Sequence, residues 1–254
     1  MRVAALYDIH GNLPALNALL AELENDKPDL IVIGGDIVSG PMPTETLERL
    51  MQLDTPVRFI RGNGDREVVT AFDGEPLPPE MSEAGRETTL WVSKQLNRSH
   101  RDFLSQLPLT LPLEIEGLGE VLFCHASPVS DEDIFTPLTP EERLFPMFQG
   151  IAQRIVICGH THIQFKRQIR DILILNTGSV GMPYADKPGA YWLLLGPNGY
   201  EHRWTPYDVE AAAKEIMSSP EPHAQSFAEQ NVRHIPTAQE AMEVLERMAR
   251  KSTM

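Results

Sequence analysis

Seven side chains that can bind a metal ion follow short apolar segments of this 254-residue chain. They are two carboxylates, one amide and four imidazoles, a mixture that suits ions such as Mn, Fe, Zn, Co or Ni. Two such ions about 3.5–4 Å apart can bind a phosphoryl group and generate a hydroxide nucleophile near neutral pH. Because the sequence shows neither a Ser-His-Asp arrangement nor a Gly-rich phosphate loop, metal-assisted hydrolysis is the leading interpretation. The seven residues are Asp8, His10, Asp36, Asn63, His125, His160 and His162.

The apolar segments before these residues are typical of buried strands, because they are short, rich in Leu and β-branched residues, and bounded by Gly or polar residues. Ligands bind beyond the carboxyl ends of strands in open α/β sheets, so we expect the seven side chains to converge on one edge. Each motif alone has a simpler explanation. Asp8 can cap the following helix, residues 62–65 (Gly-Asn-Gly-Asp) favour a tight turn, and a lone His at a strand end is usually structural.

The first part of the chain alternates strands and helices. Residues 3–7, 30–33 and 57–60 are predicted strands, and helical spacing of leucines starts at Leu13 and again covers residues 46–53. This order predicts right-handed crossovers and a mostly parallel sheet.

The second half reads as a meander of strands that forms a second sheet packed on the first. Residues 109–115 and 121–124 are predicted to form a hairpin, because a Glu-Gly-Leu-Gly turn joins them. Helices are predicted over residues 82–96, 208–217 and 238–248. A further short helix is predicted to begin at a capping box that starts at Ser99. The stretch between the last two helices reads as a weakly specified linker. The remaining predicted strands are residues 156–158, 172–175, 191–195 and 201–204.

We interpret the chain as a single domain over residues 1–254, with two additions to its α/β body. Residues 127–150 carry four prolines and several acids, and we expect them to form an irregular, lid-like insert over the site. Residues 208–254 form a C-terminal helical extension. Cys124 and Cys158 lie within apolar segments and are expected to be small buried core residues.

Composition limits the function classes. The formal net charge of −14 argues against a protein that coats nucleic acid or a membrane surface, so a long nucleic acid is not an expected partner. The chain starts directly with a strand and carries no apolar segment near the roughly 20 residues that span a bilayer. We therefore expect a cytoplasmic protein without a membrane partner, and leave a homo-oligomer open.

Five motifs in a fixed order resemble the calcineurin-like metallophosphoesterases over about residues 1–205. They are Asp8-x-His10, Gly35-Asp36, Gly62-Asn63-x-Asp65, His125 and Gly159-His160-x-His162. Residues 8–16 (DIHGNLPAL) and 176–183 (NTGSVGMP) further resemble the small prokaryotic phosphodiesterase branch of that superfamily. The resemblance implies an α/β fold built as a four-layer α/β/β/α sandwich, in which helices flank two mixed β-sheets around a dinuclear metal centre.

The resemblance also implies roles for single residues. One metal would be held by Asp8, His10, Asp36 and His162, and the other by Asp36, Asn63, His125 and His160, with Asp36 bridging. In this reading the residues closest to the reaction are Asp36, Asn63 and His125. Asn12 and Arg66 are candidate phosphate contacts, although an ordinary ion pair is the simpler explanation for Arg66.

The chain departs from the family at Gly64, where many members carry a His that assists the leaving group. The metals and the hydroxide do not depend on that His, but protonation of a poor leaving group does. We therefore expect a phosphodiesterase that hydrolyses a small phosphate ester and prefers phenol-like leaving groups. The alternatives are a non-catalytic scaffold of the same fold that binds protein, and a nuclease or nucleotide phosphatase.

Overall fold

Two five-stranded β-sheets pack face to face in the computed structural model, which describes residues 1–251. The strands are β1 (Val3–Leu6), β2 (Leu30–Ile33), β3 (Val57–Phe59), β4 (Thr110–Ile115), β5 (Gly119–Cys124), β6 (Ile155–Cys158), β7 (Gln164–Ile169), β8 (Ile172–Thr177), β9 (Ala190–Gly196) and β10 (Gly199–Thr205). The helices are α1 (Leu13–Asp26), α2 (Pro43–Met51), α3 (Asn63–Phe72), α4 (Glu83–Gln95), α5 (Arg98–Ser105), α6 (Glu141–Leu144), α7 (Val209–Met217), α8 (Ala224–Phe227) and α9 (Ala238–Lys251). A 3₁₀ turn (Phe145–Phe148) follows α6, and a π-helical segment (Ala228–Arg233) follows α8.

The first sheet has the order β10-β9-β1-β2-β3, and β1, β2 and β3 are parallel, as the alternation of strands and helices predicts. β9 pairs antiparallel with β1 and places β10 at the edge. The expectation that these last strands belong to the second sheet was therefore wrong. A hairpin pattern shows that two strands pair with each other, but it does not show which sheet they join.

The second sheet has the order β4-β5-β6-β8-β7 and is mixed. The predicted hairpin of β4 and β5 is confirmed, while β5, β6 and β8 run parallel rather than as a meander. Sequence reasoning missed β7, an edge strand with alternating burial and four polar residues among its six (QFKRQI). Because β5 and β6 run parallel, their carboxyl ends point to the same edge of this sheet.

Three apolar cores separate four layers, as expected from the family resemblance. Tyr7, Phe123 and Leu193 belong to the core between the sheets. α1 and α2 pack on the outer face of the first sheet, where Trp192 is fully buried. Each large side chain buried in this way contributes roughly 1.5–3 kcal/mol. The outer face of the second sheet is covered by α9 and by residues of the 127–150 segment, including Phe135.

The 127–150 segment was expected to lie over the site, but most of it packs on the outer face of the second sheet. It is fastened to α9 by Glu246, whose carboxylate accepts hydrogen bonds from Thr136, Thr139 and Arg143. Burial works against ionisation of Glu246, but these donors lower the pKa of its carboxyl. The segment approaches the strand ends through Asp131.

Helix ends agree with the predictions at most positions. Asn12 caps α1 and Pro14 lies in its first turn, whereas α5 is capped by Asn97 rather than by Ser99. Three helical pieces, α3, α6 and α8, were not predicted. The last residues of the predicted C-terminal extension, 252–254, lie outside the described residues. Within residues 1–251, no helix is both long enough and apolar enough to cross a membrane.

Candidate metal centre

The loops that follow the strands have an unusual backbone at the candidate ligands. Five of these residues have positive φ, a conformation that costs an ordinary L-residue roughly 1–2 kcal/mol. Backbone hydrogen bonds hold the loops together, since Asp8 N–H donates to Gly35 O at 3.1 Å and His10 N–H to Asp36 O at 2.9 Å. Such strain concentrates at functional sites. The five residues are Asp8 (54°), His10 (48°), Asp36 (51°), His160 (64°) and His162 (58°).

The structure brings six of the seven candidate ligands into two adjacent groups. In each group the ligand atoms lie within 4.8 Å of one another. In the first group, Nε2 of His162 lies 3.5 Å from Oδ1 of Asp8 and 3.1 Å from Nε2 of His10. The groups are Asp8, His10 and His162, and Asp36, His125 and His160.

Asp36 lies between the two groups. Its Oδ2 is 3.6 Å from Nε2 of His10 and 3.6 Å from Nε2 of His125, which belong to different groups. Nε2 of His125 is also only 3.8 Å from Oδ1 of Asp8. The ligand atoms of both groups therefore share one small volume, and the Asp36 carboxylate is placed to serve both.

Three buried atoms in this volume lack a hydrogen-bond partner. They are Oδ1 of Asp8, Oδ1 of Asn63 and Nε2 of His125. A buried polar atom without a partner costs about 1–3 kcal/mol, which is why such atoms are rare in proteins. All three are good ligand atoms for borderline cations. The donor set and the unpartnered atoms thus fit a pair of divalent metal ions, and Asn63, the seventh candidate, lines the same cavity as His10 and Asp36.

Backbone carbonyl groups orient three of the imidazoles. Nδ1 lies 2.8 Å from Gly34 O in His125, 2.8 Å from Met182 O in His162, and 3.1 Å from Ser39 O in His10. A proton on each Nδ1 makes this a hydrogen bond and leaves Nε2 free to bind a cation. Metal-binding histidines in proteins are commonly oriented in this way.

Mutual electrostatics among the ligands are strong because the site excludes water. Burial disfavours the charge of Asp36, but the imidazoles of His125, His10 and His160 outweigh it and lower the pKa of that carboxyl. Burial and the nearby His125 lower the pKa of His160 to about 4. Burial opposes protonation of His125 as well, but Asp36 and Asp8 raise its pKa to about 10. Metal binding would take the place of that proton.

The N-terminus of α3 supports Asp36. The N–H of Gly64 donates to Oδ1 of Asp36 at 2.8 Å. Asp65 ties the same loops together, because its carboxylate accepts from the N–H groups of Ile37 at 2.9 Å and Gly62 at 3.0 Å. Burial and the charge of Asp36 raise the pKa of Asp65 to about 7. The Gly-Asn-Gly-Asp segment is therefore a helix start built around Asp36, not an isolated turn.

The space beside Gly64 is taken by Ser39. A Cβ atom at position 64 would lie 2.1 Å from Oγ of Ser39 and 3.0 Å from Oδ1 of Asp36. A larger residue at position 64 and the observed orientation of Ser39 therefore exclude each other. Oγ of Ser39 is buried without a hydrogen-bond partner, and Ser39 lines the cavity in front of the ligands.

The two candidate phosphate contacts lie elsewhere. Asn12 is fully buried; its Oδ1 accepts from Ala15 N–H and its Nδ2 donates to Gly181 O at 2.9 Å, so its amide is already occupied. The guanidinium group of Arg66 binds Asp131 at 3.1 Å and Glu132 at 2.5 Å. Asn12 is a helix cap in this structure, and Arg66 has the ion-pair role that was its simpler explanation.

A cavity of about 370 Å³ opens in front of His10, Asp36 and Asn63. Its other walls come from the start of α4 and from the segment between α7 and α9, which was predicted only as a linker. Glu67 also faces the cavity; burial and the charge of Asp36 raise its pKa to about 7. The residues of the α4 wall are Met81, Ala84, Gly85, Thr88 and Thr89, and those of the C-terminal wall are Glu221, His223, Ser226, Phe227 and Asn231.

Comparison with known proteins agrees with this fold. The family model described as the calcineurin-like phosphoesterase superfamily domain matches residues 1–195. The chain belongs to this superfamily of phosphoesterases.

Individual relatives are distant. An uncharacterized protein of Methanocaldococcus jannaschii is 31% identical over 201 residues, which is 78% of this chain and 76% of that protein. The Escherichia coli protein named phosphodiesterase YfcE is 24% identical over 203 residues, which is 76% of this chain and 87% of the relative. A crystal structure of a hypothetical protein from Pyrococcus horikoshii superposes with a TM-score of 0.75 at 22% identity, covering 96% of this chain and 97% of that one. A metallophosphoesterase from Sphaerobacter thermophilus gives a TM-score of 0.70 at 23% identity, covering 92% and 99%; at these identities the two structures support the shared fold alone.

Proposed function

We propose that this protein is a two-metal phosphodiesterase that hydrolyses a small phosphate ester. The observation that carries the proposal is the position of Asp36, 3.6 Å from an imidazole of each ligand group, beside three buried atoms that lack partners. Both features are explained if two divalent cations bind there. Metals of the Mn, Fe, Zn, Ni or Co type suit the donor set.

Two cations at such a site supply polarisation of the phosphoryl oxygens and a water of lowered pKa. The residues of this protein would position the two ions. The Asp36 carboxylate would join the two ions, while Asn63 and His125 complete the second ligand group next to the reacting phosphoryl. The carbonyl groups of Gly34 and Met182 fix the imidazoles of His125 and His162, so no ligand needs to turn before the ester binds.

A preference for diesters follows from Gly64 and Ser39. No imidazole can lie at position 64 while Ser39 keeps its observed orientation, so this position offers no strong acid to a poor leaving group. The unpartnered hydroxyl of Ser39 is buried in its observed orientation, and it can donate a hydrogen bond to a phosphoryl oxygen once the side chain turns towards the cavity that Ser39 lines. Esters whose alcohol leaves as a stable anion, such as aryl diesters, are therefore the substrates best served by this site.

The proposal is tested with protein whose metal content has been measured. Chelator-stripped protein reloaded with Mn²⁺ is expected to hydrolyse bis(p-nitrophenyl) phosphate, and to do so faster than it hydrolyses an aliphatic monoester such as glycerol phosphate. Asp36→Asn is the inactive control, because it removes the carboxylate between the two groups. Equal turnover by the stripped protein, or faster turnover of the monoester, would contradict the proposal.

A non-catalytic scaffold of this fold would show no metal-dependent turnover in the same assay. A nuclease is disfavoured by the net charge of −14, because polyanionic nucleic acid needs a basic surface. We further propose that the protein is cytoplasmic and that its partner is a small phosphate ester.

A further inference from the structure

The cavity in front of the metal ligands has an uneven distribution of charge. Acidic side chains line it, namely Asp36, Glu67 and Glu221, but among the described residues that line it there is neither Lys nor Arg. Its remaining surface is apolar or neutral, with Met81 and Phe227 on opposite walls. A substrate that is bound here would therefore meet positive charge only at the metal ions.

Two guanidinium groups on the helices that line the cavity bind other groups. Arg66, on the helix that carries Glu67, binds the carboxylates of Asp131 and Glu132. Arg86, on the helix that forms one wall, donates to the backbone carbonyl of Pro78 at 2.7 Å. Neither lines the cavity, and moving Arg66 into it would leave the largely buried Asp131 without one of its two arginines.

The C-terminal wall is fixed by its own acidic network. The Glu221 carboxylate accepts from the hydroxyl of Thr88 at 2.7 Å and from the N–H of His223 at 2.7 Å. Nε2 of His223 lies 2.9 Å from a carboxylate oxygen of Glu87. A positive charge on His223 would therefore be offset by Glu87, and the wall as a whole stays without excess positive charge.

From this distribution we infer that the substrate is a phosphodiester whose only negative charge is on the scissile phosphate, and whose second group is small and neutral or cationic. This inference rests on the proposed function and adds the substrate class. A second phosphate in the cavity would lie near Glu67 and Glu221 with no cation to balance it. Like charges placed together at a binding surface repel each other, so nucleoside polyphosphates are disfavoured. A cationic group would gain from Glu221 and from the ring of Phe227.

Three diesters with one leaving group and similar size test the inference. Each has p-nitrophenol on one side of the phosphate. The second group is 2-(trimethylammonio)ethyl, 3,3-dimethylbutyl or 2-(phosphonooxy)ethyl, so that only the charge changes. With Mn²⁺-loaded protein, kcat/KM is expected to be roughly tenfold or more lower for the phosphorylated diester than for the neutral one. The cationic diester is expected to match or exceed the neutral one.

A pair of variants tests whether the C-terminal wall is responsible. Ser226→Lys places a cation on that wall at an exposed residue, and Gln225→Lys places the same charge one residue away, off the cavity. Ser226→Lys is expected to raise kcat/KM for the phosphorylated diester relative to the neutral one at least threefold, whereas Gln225→Lys leaves the ratio unchanged. An unfolding scan of each variant checks that the fold is retained.

The outcomes separate the two proposals. If none of the three diesters is hydrolysed by metal-loaded protein, the phosphodiesterase proposal fails, and the substrate class fails with it. If all three are hydrolysed but with equal kcat/KM, or the phosphorylated diester is preferred, the phosphodiesterase stands and the inference about charge is overturned. An equal change of the ratio in both Lys variants would also overturn it, because the effect would not come from the cavity wall.

Discussion

Removal of bound metal is expected to lower the free energy of unfolding of this protein by an amount that can be estimated from the ligand atoms. Three buried atoms, Oδ1 of Asp8, Oδ1 of Asn63 and Nε2 of His125, have no hydrogen-bond partner within the protein. At about 1–3 kcal/mol each, they represent about 3–9 kcal/mol that a bound cation can recover. Mass action gives a similar value, because two sites each filled at a hundred times the dissociation constant contribute about 5 kcal/mol.

For a chain of this length, 1 kcal/mol corresponds to about 2–4 °C in Tm, so saturation with Mn²⁺ should raise the Tm of stripped protein by about 10–20 °C. The assay is a calorimetric unfolding scan of chelator-treated protein, with and without Mn²⁺, alongside elemental analysis of the bound metal. Asn63→Ala sharpens the test. It removes one unpartnered acceptor, so the metal-dependent rise in Tm should shrink while the stripped variant stays within about 1 kcal/mol of the stripped parent.

The matched control is Asn97→Ala, which removes the cap of α5 far from the metal ligands. It should lower Tm with and without metal by an amount that corresponds to about 1 kcal/mol, and leave the metal-dependent rise unchanged. A parent protein that contains two ions per chain but shows no rise in Tm would refute the reasoning. A full rise in Asn63→Ala would show that this amide is not a ligand.

Five further substitutions have defined outcomes. Asp36→Asn should reduce bound metal and lower turnover by more than about a hundredfold, since ligand losses exceed the effects of neighbouring groups. Ser39→Ala should keep the metal content but lower kcat/KM for diesters by roughly tenfold, the value of about one hydrogen bond to a charged group. Arg66→Ala and Asp131→Asn should both lower the stability of the protein and leave KM unchanged. A rise in KM for Arg66→Ala but not for Asp131→Asn would show instead that Arg66 contacts the phosphate. Glu246→Gln should cost about 1–3 kcal/mol at pH 7. Because the native pKa of Glu246 is lowered from 4.5, its contribution is present above that pH and is lost as the pH falls through the lower native value, so the urea unfolding curves of parent and variant should converge as the pH is lowered.

The sequence was informative where one apolar segment ended at one polar ligand. β1 and β2 are buried along their whole length, so their residues are uniformly apolar and their carboxyl ends are easy to place. Parallel pairing then brings Asp8 and Asp36 to the same edge without knowledge of any contact. The separation of the ligands into two groups depends on backbone angles after each strand, and Asp and His adopt positive φ too rarely for a sequence to predict it.

Sequence reasoning failed where contact between distant segments decides the structure. β7 and α3 carry many polar residues, because one lies at a sheet edge and the other presents its N-terminus to a buried carboxylate. Asn12 shows a related ambiguity, because an amide next to a ligand motif can face the site or cap the next helix, and in this structure it caps α1. The segment between α7 and α9 has no apolar periodicity of its own, and its structure depends on contacts such as the hydrogen bond from Thr88 to Glu221.

The candidate metal ligands and the C-terminal wall of the cavity lie in different parts of the chain. All seven candidate ligands lie within residues 1–195, which the superfamily model matches. The C-terminal wall of the cavity, from Glu221 to Asn231, lies outside that match. A relative that matches only the first part need not have a wall of the same charge. The reaction class can therefore be argued from the family, whereas the substrate has to be argued from the charges of this cavity.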